Sequence, residues 1–153
     1  MKKNNSLIAL FLVLITITIT ISSCVKDKDK DRYIKTPTPD WKEDLTGKYP
    51  ASMTAVVQLP PNMLPALQPE DKMAAFIKDE CRGVGVVVKV NDTTSVFYVM
   101  IHGTASEHGK INFKYYSKKD SWLYTTIDFL DFSVDGNYGT VDKPAILDLE
   151  HAK

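Results

Sequence analysis

Apolar and polar positions alternate along the chain from residue 52 onward. Met53, Ala55, Val57 and Leu59 interleave with Ser52, Thr54 and Gln58. A period of two sends successive side chains to opposite faces, so this run reads as a half-buried strand. Pro60-Pro61 ends it, because proline has no N–H to give to a ladder. Residues 60–70 form a proline-rich loop, and the stretch 63–75 has room for one helical turn. Met73-Ala74-Ala75-Phe76-Ile77 is a short apolar run, and Lys78-Asp79-Glu80 reads as a turn. Val84, Val86, Val88 and Val90 form the next alternating set, closed by a tight turn at Asn91-Asp92-Thr93. Val96 to Ile101 is apolar on both faces, as a central strand would be. Ile111, Phe113 and Tyr115 alternate with Asn112, Lys114 and Tyr116, and Lys118-Lys119-Asp120-Ser121 turns the chain back.

The next run breaks its own parity. Leu123, Thr125, Ile127 and Phe129 are odd, whereas Leu130, Phe132 and Val134 are even. No strand holds both sets on one face without an extra residue, so a bulge or sheet-switching bend is expected near Phe129-Leu130. Asp135-Gly136 and Gly139 make a further turn, and Ala145, Leu147 and Leu149 a last strand. Seven to eight short strands with regular turn signals and no convincing helix predict an all-β fold. The architecture expected is an antiparallel β-sandwich, immunoglobulin-like or similar, with a small closed barrel as the alternative.

The first 23 residues have a different pattern. Met1-Lys2-Lys3-Asn4-Asn5 is short and positive, and residues 7–21 are apolar apart from three threonines. Fifteen residues fall short of the roughly 20 needed to span a bilayer and suit the apolar region of an export signal. Ile21-Ser22-Ser23-Cys24 then resembles a lipobox, the sequence at which bacterial lipoproteins are cut and acylated. The resemblance implies cleavage after Ser23, a diacylglyceryl thioether on Cys24 and an acyl group on its new amine. Each buried CH₂ contributes about 0.8 kcal/mol, so two or three chains anchor a soluble domain firmly. With Cys24 assigned to lipid, Cys81 is the one remaining cysteine, expected as a buried thiol and not as half of a disulfide.

Residues 26–32 alternate Lys and Asp and end in Arg, with no apolar residue to bury. Pro37 and Pro39 favour extended backbone after them. The expected organisation is therefore a signal peptide at 1–23, lipidated Cys24 with a solvated tether to residue 40, and a β-sandwich domain at 41–153. Trp41 is expected to plug the end of the sandwich. Acidic residues just behind the cysteine resemble the surface-export signal of Bacteroidetes-type lipoproteins, here mixed with lysines. Val25 supplies no Asp beside Cys24, so the enterobacterial inner-membrane retention signal is absent. The localisation expected is the bacterial outer membrane, facing the cell surface or the periplasm.

Charge excludes one class of partner. The formal net charge is zero; removing residues 1–23 takes away Lys2 and Lys3 and no acid, leaving 17 basic against 19 acidic side chains. Such a chain has no basic excess for nucleic-acid phosphates.

Candidate chemistry is sparse. Cys81, His102 and His108 have neither a nucleophile–base spacing nor metal-ligand spacing, so no catalytic or metal site and no cofactor is expected. Asp135-Gly136-Asn137-Tyr138-Gly139 lacks the spaced carboxylates of a calcium loop and reads as a hairpin turn. Aromatics offer more. If Lys114 and Tyr116 face outward, Tyr116 lies near Trp122 across the turn, and Tyr116, Trp122 and Tyr124 form a candidate platform for a sugar ring or a partner protein. The competing reading is a cross-strand pair that stabilises the hairpin. Asp92-Thr93-Thr94 resembles the short O-glycan acceptor of exported Bacteroidetes proteins, which makes Thr93 a candidate acceptor.

Asp71-Lys72-Met73-Ala74-Ala75-Phe76, followed by Glu80-Cys81-Arg82-Gly83-Val84-Gly85, resembles a module of secreted and surface proteins of Bacteroidetes. Phe113, Tyr116, Gly139, Pro144 and Ile146 match its later positions, so that the likeness covers residues 50–149. The resemblance implies a small accessory β-sandwich with no established activity. Within it, Arg82 is expected to pair with an acid such as Asp71 and lock two strands. The function expected is a membrane-anchored lipoprotein with a non-catalytic binding or adhesion module for a glycan or an envelope protein. The alternative is a structural accessory subunit of an envelope complex.

Overall fold

The computed structural model describes residues 35–152. The expected signal peptide at 1–23, the expected lipid attachment at Cys24 and the expected tether as far as residue 34 lie outside them. Two sheets form a β-sandwich. Sheet A contains β1 (Ala51–Gln58), β4 (Val86–Lys89), β5 (Ser95–Gly103), β9 (Asn137–Tyr138) and β10 (Ala145–Ile146). Sheet B contains β2 (Lys72–Ile77), β3 (Glu80–Val84), β6 (Lys110–Ser117), β7 (Trp122–Thr126), β8 (Leu130–Asp131) and β11 (Leu149–His151). Seven strands have four residues or more, matching the expected number, and β8 to β11 are additional pieces of two or three.

The order in sheet A is β10-β1-β5-β4, with β9 beside β1; in sheet B it is β11-β7-β6-β2-β3, with β8 beside β6. Most pairs are antiparallel, but β9 and β10 follow one another along β1 in parallel. The core lies between the sheets. Met53, Ala55, Val57 and Leu59 enter it from β1 and its end, Phe97, Val99 and Ile101 from β5, and Met73, Ala75, Ile77, Ile111, Phe113 and Tyr115 from sheet B. The predicted helical turn is a single 3₁₀ turn at Leu64–Ala66.

Three expected continuities are broken because the chain passes between sheets. Val84, Val86, Val88 and Val90 do not share a core face. β3 ends at Val84 in sheet B, and β4 begins at Val86 in sheet A. The Gly85 N–H bonds the Met73 carbonyl at 2.8 Å. A Cβ on Gly85 would stand 3.0 Å from the Met73 Cβ, so the crossing needs glycine's close approach. Parity restarts after it, and Val86, Val88 and Val90 are exposed. Ala145, Leu147 and Leu149 likewise divide between β10 and β11, in opposite sheets. Residues 135–139 are not a hairpin: the Asp135 N–H bonds the Ser52 carbonyl and Thr54 bonds back to Gly136, which carries the chain from sheet B to sheet A.

The bend predicted near Phe129-Leu130 occurs at 127–129. β7 stops at Thr126 and β8 resumes at Leu130 beside the same neighbour, β6. Leu130 and Phe132 turn to the core while Ile127 and Phe129 stay exposed.

Residues 36–40, the expected end of the solvated tether, lie against sheet B. Thr36 donates its N–H to the Ser121 carbonyl at 2.8 Å, and Lys72 Nζ reaches the Pro39 carbonyl at 2.6 Å. Thr38 and Tyr116 share a hydroxyl–hydroxyl bond at 3.3 Å. Trp41 packs edge-on against Phe76, ring centroids 5.7 Å apart. Phe76 lies on the face of β2 opposite the core, so Trp41 covers the outer face of sheet B and not the end of the sandwich.

Candidate functional site

Thr126 shapes the side of the sandwich. Its hydroxyl accepts the Phe113 backbone N–H at 3.0 Å, a place a ladder carbonyl would otherwise fill. Asn112 Nδ2 donates to the same hydroxyl and to the Thr126 carbonyl, and Thr125 Oγ1 donates to Asn112 Oδ1 at 2.7 Å. Side chains thus end the β6–β7 ladder, and the chain swings outward. Ile127 N–H then bonds the Asp148 carbonyl at 3.1 Å.

A cleft of about 200 Å³ opens between the sheets at this point. Phe113 and Leu130 from sheet B and Tyr138 and Leu147 from the facing side form its apolar lining. Phe129 and Ile146 stand at its mouth, each 59% exposed. Asp128 and Asp148 also line it, and neither forms an ion pair among the described residues. The volume is below the 300 Å³ or more of a typical cofactor pocket and suits one anchoring side chain or one sugar ring. Two uncompensated carboxylates favour a ligand that brings a cation or hydroxyl donors.

The aromatic platform expected from sequence does not assemble. Tyr116 pairs with Leu123 and Trp122 pairs with Ser117 across the hairpin. Tyr116 therefore faces outward from sheet B, where residues 36–41 cover it to 1% exposure. Trp122 and Tyr124 are on the other face. Both are half-buried against His151, at 4.8 and 4.4 Å between ring centroids, and Tyr124 also packs on Tyr115 at 5.8 Å. The cross-strand pair of Tyr116 with Trp122 does not form either; the aromatic pair across this hairpin is Tyr115 with Tyr124.

Arg82 does not pair with Asp71. Its guanidinium donates to Glu80 Oε2 at 3.0 Å, Glu107 Oε2 at 3.1 Å and the His102 carbonyl at 3.3 Å, and lies 3.5 Å over the Tyr49 ring. Tyr49 donates its hydroxyl to Glu80, and Lys48 reaches the other Glu80 oxygen at 2.8 Å. Asp71 is buried elsewhere, accepting from the Tyr115 hydroxyl at 2.6 Å, Lys118 N–H at 2.7 Å and Gln68 N–H at 2.8 Å.

Cys81 is half-buried, more open than expected, with its thiol 3.8 Å from the Gly83 carbonyl. Burial pushes its pKa up, against the weaker effect of the Gly83 bond. His102 Nε2 lies 3.9 Å from Glu43. Among the described residues no three His, Cys, Asp or Glu are grouped to hold a metal. Thr93 is exposed in the β4–β5 turn, its hydroxyl donating to Asn91 Oδ1 at 3.0 Å.

The cleft residues were missed in the sequence, although the parity break at Phe129-Leu130 marked the spot. No protein-family model matches the chain, and no curated protein or solved structure does either.

Proposed function

We propose that the chain is a lipid-anchored protein of the bacterial outer membrane whose β-sandwich is a non-catalytic binding or adhesion module. The carrying observation is the side cleft, with Phe129 and Ile146 exposed over an apolar floor and two unpaired carboxylates beside them. An exposed aromatic next to a small apolar recess is a suitable anchor point for a glycan ring or a partner's side chain. The Ile21-Ser22-Ser23-Cys24 run supports the anchor.

The test uses the full chain. Wild type, Phe129→Ala and Asp128→Asn/Asp148→Asn are compared on a glycan array and in pull-downs from native envelopes. Phe129 is largely exposed, so its truncation is expected to reduce binding at least tenfold with little change in stability. Failure of the wild type to retain any glycan or protein, or equal retention by Phe129→Ala, sinks the cleft as the site. Cys24→Ala is expected to abolish fatty-acid labelling and release the protein from membranes; an unlabelled wild type removes the anchor.

A further inference from the structure

The side cleft is chemically one-sided. Its polar side chains are those of Asp128, Asp148, Thr126 and Tyr138, and its lining has no Lys, Arg, His, Asn, Gln or Trp. An ionised carboxylate only accepts hydrogen bonds. The Thr126 hydroxyl is already engaged by the Phe113 N–H and by Asn112 Nδ2. The backbone N–H groups of Ile127 and Leu147 are spent on the Asp148 and Gln58 carbonyls. The cleft is therefore rich in acceptors and poor in donors. The chain around it has the same sign. Residues 127–150 hold Asp128, Asp131, Asp135, Asp142, Asp148 and Glu150 against Lys143 alone, in a chain whose 19 basic and 19 acidic side chains balance. Lys110 compensates Asp131 at 2.7 Å, whereas no Lys, Arg or His among the described residues pairs with Asp128 or Asp148.

We propose that the cleft takes a lysine or arginine side chain from the surface of a partner protein. The inference rests on the cleft being the binding site and names what it binds. Charge and hydrogen-bonding capacity select this ligand. Ammonium and guanidinium groups donate and never accept, so they match a lining of acceptors and leave nothing of their own unsatisfied. A sugar hydroxyl also accepts, and its oxygen finds few donors here. Shape agrees with charge. The methylene stem of Lys or Arg lies along apolar surface while its head stays near water. Phe113, Leu130 and Leu147 supply that floor, and Asp128 and Asp148 are exposed beside it. Phe129, 59% exposed at the mouth, offers its ring to the same cation. Size selects the source. About 200 Å³ admits one side chain and not a whole peptide. The rest of the ligand lies outside, where exposed Phe129 and Ile146 give a protein surface apolar contact around the anchor.

The test is NMR chemical-shift mapping of the backbone amides of the full-length protein in mild nonionic detergent. The probes are Nα-acetyl-lysine amide, its uncharged counterpart Nα-acetyl-norleucine amide, and methyl glucoside. The lysine probe is expected to shift amides of residues 126–130 and 146–148 saturably, with a dissociation constant at least about fivefold below that of the norleucine probe. Added salt is expected to shrink that preference. Asp128→Asn/Asp148→Asn is expected to erase it while norleucine binding persists, and an unchanged spectrum away from the cleft shows that the variant is folded. Glu70→Gln, which removes an exposed acid from the 60–70 loop, is expected to leave the preference intact. Equal binding of lysine and norleucine overturns the proposal, as does a lysine preference that survives the double variant. Tighter binding of methyl glucoside at the same amides overturns it too, and leaves the cleft a binding site for a sugar. If no probe shifts the cleft the proposal falls, and the comparison of wild type with Phe129→Ala on glycans and envelope proteins then decides separately whether the cleft binds at all.

Discussion

Replacing Arg82 by alanine should destabilise the fold by about 3 kcal/mol, and the structure shows where that figure comes from. The Arg82 side chain is 7% exposed, and its two carboxylate partners differ: Glu107 is 16% exposed and Glu80 53%. Breaking a fully buried pair by removing one partner costs about 3–5 kcal/mol, because the other charge is left unpaired out of water. That range applies to Glu107, toward its lower end. The Glu80 contact is half in solvent and adds little. Loss of the cation from the Tyr49 ring adds roughly another 1 kcal/mol. Against these stands the Arg82 Nε, buried with no acceptor among the described residues, whose removal returns part of the cost.

Urea unfolding at neutral pH measures the effect, and an unchanged slope would show that the denatured state is unaltered. A double-mutant cycle isolates the charge. Glu107→Gln in the wild type should cost at least ~1.5 kcal/mol, and in an Arg82→Met background almost nothing, since the methionine leaves no cation for Glu107 to neutralise. Arg82→Ala costing under ~1 kcal/mol, together with no coupling in the cycle, would refute the reasoning and reduce the cluster to a set of surface contacts.

Three further outcomes follow from the same geometry. The Glu80 carboxyl is held at about 2, below its ordinary 4.5, first by Lys48 and then by the Tyr49 hydroxyl; a depressed folded value stabilises above pH 4.5 and is lost as pH falls toward 2, so Glu80→Gln should flatten the stability–pH curve in that window and added salt should shrink the difference. Asp71→Asn turns an amide N–H₂ toward a donor and should cost about 2–3 kcal/mol in urea, more than Tyr115→Phe, which removes one of three donors; the reverse order would show that Asp71 is not the hub of that corner. Mass spectrometry of native protein should find added glycan on the peptide containing Thr93 and none in Thr93→Ala, and an unmodified wild-type mass removes Thr93 as an acceptor.

The fold was legible wherever a strand buries one face and stays in one sheet. Met53, Ala55, Val57 and Leu59 announce β1 because their parity is unbroken, and Ile111, Phe113 and Tyr115 do the same for β6. Periodicity carries no mark of a change of sheet. The valines at 84, 86, 88 and 90 keep one parity through Gly85, yet the chain leaves one sheet there and enters the other. The partners of Arg82 were hidden for a related reason. Glu107 lies 25 residues away in a loop whose position depends on the whole sandwich, whereas Asp71 was the acid nearest in the motif.

The crossings also account for where the candidate sites lie. A strand that changes sheet leaves short pieces behind it, and short pieces cover a sandwich side incompletely. β10 and β11, two and three residues long, flank the crossover at Leu147-Asp148, and the break between β7 and β8 faces it. Phe129, expelled at that break, meets Ile146 at the opening between them. On the opposite side β3 and β4 run on through Gly85, and Gly83 packs so closely on the Met100 carbonyl that a Cβ there would collide with it. One side of the sandwich is thus sealed by a glycine-dependent crossing while the other stays open. A residue that breaks parity is therefore better evidence for an exposed site than an aromatic in regular alternation: Phe129 lines the cleft, whereas Tyr116, which keeps its parity, is buried under residues 36–41.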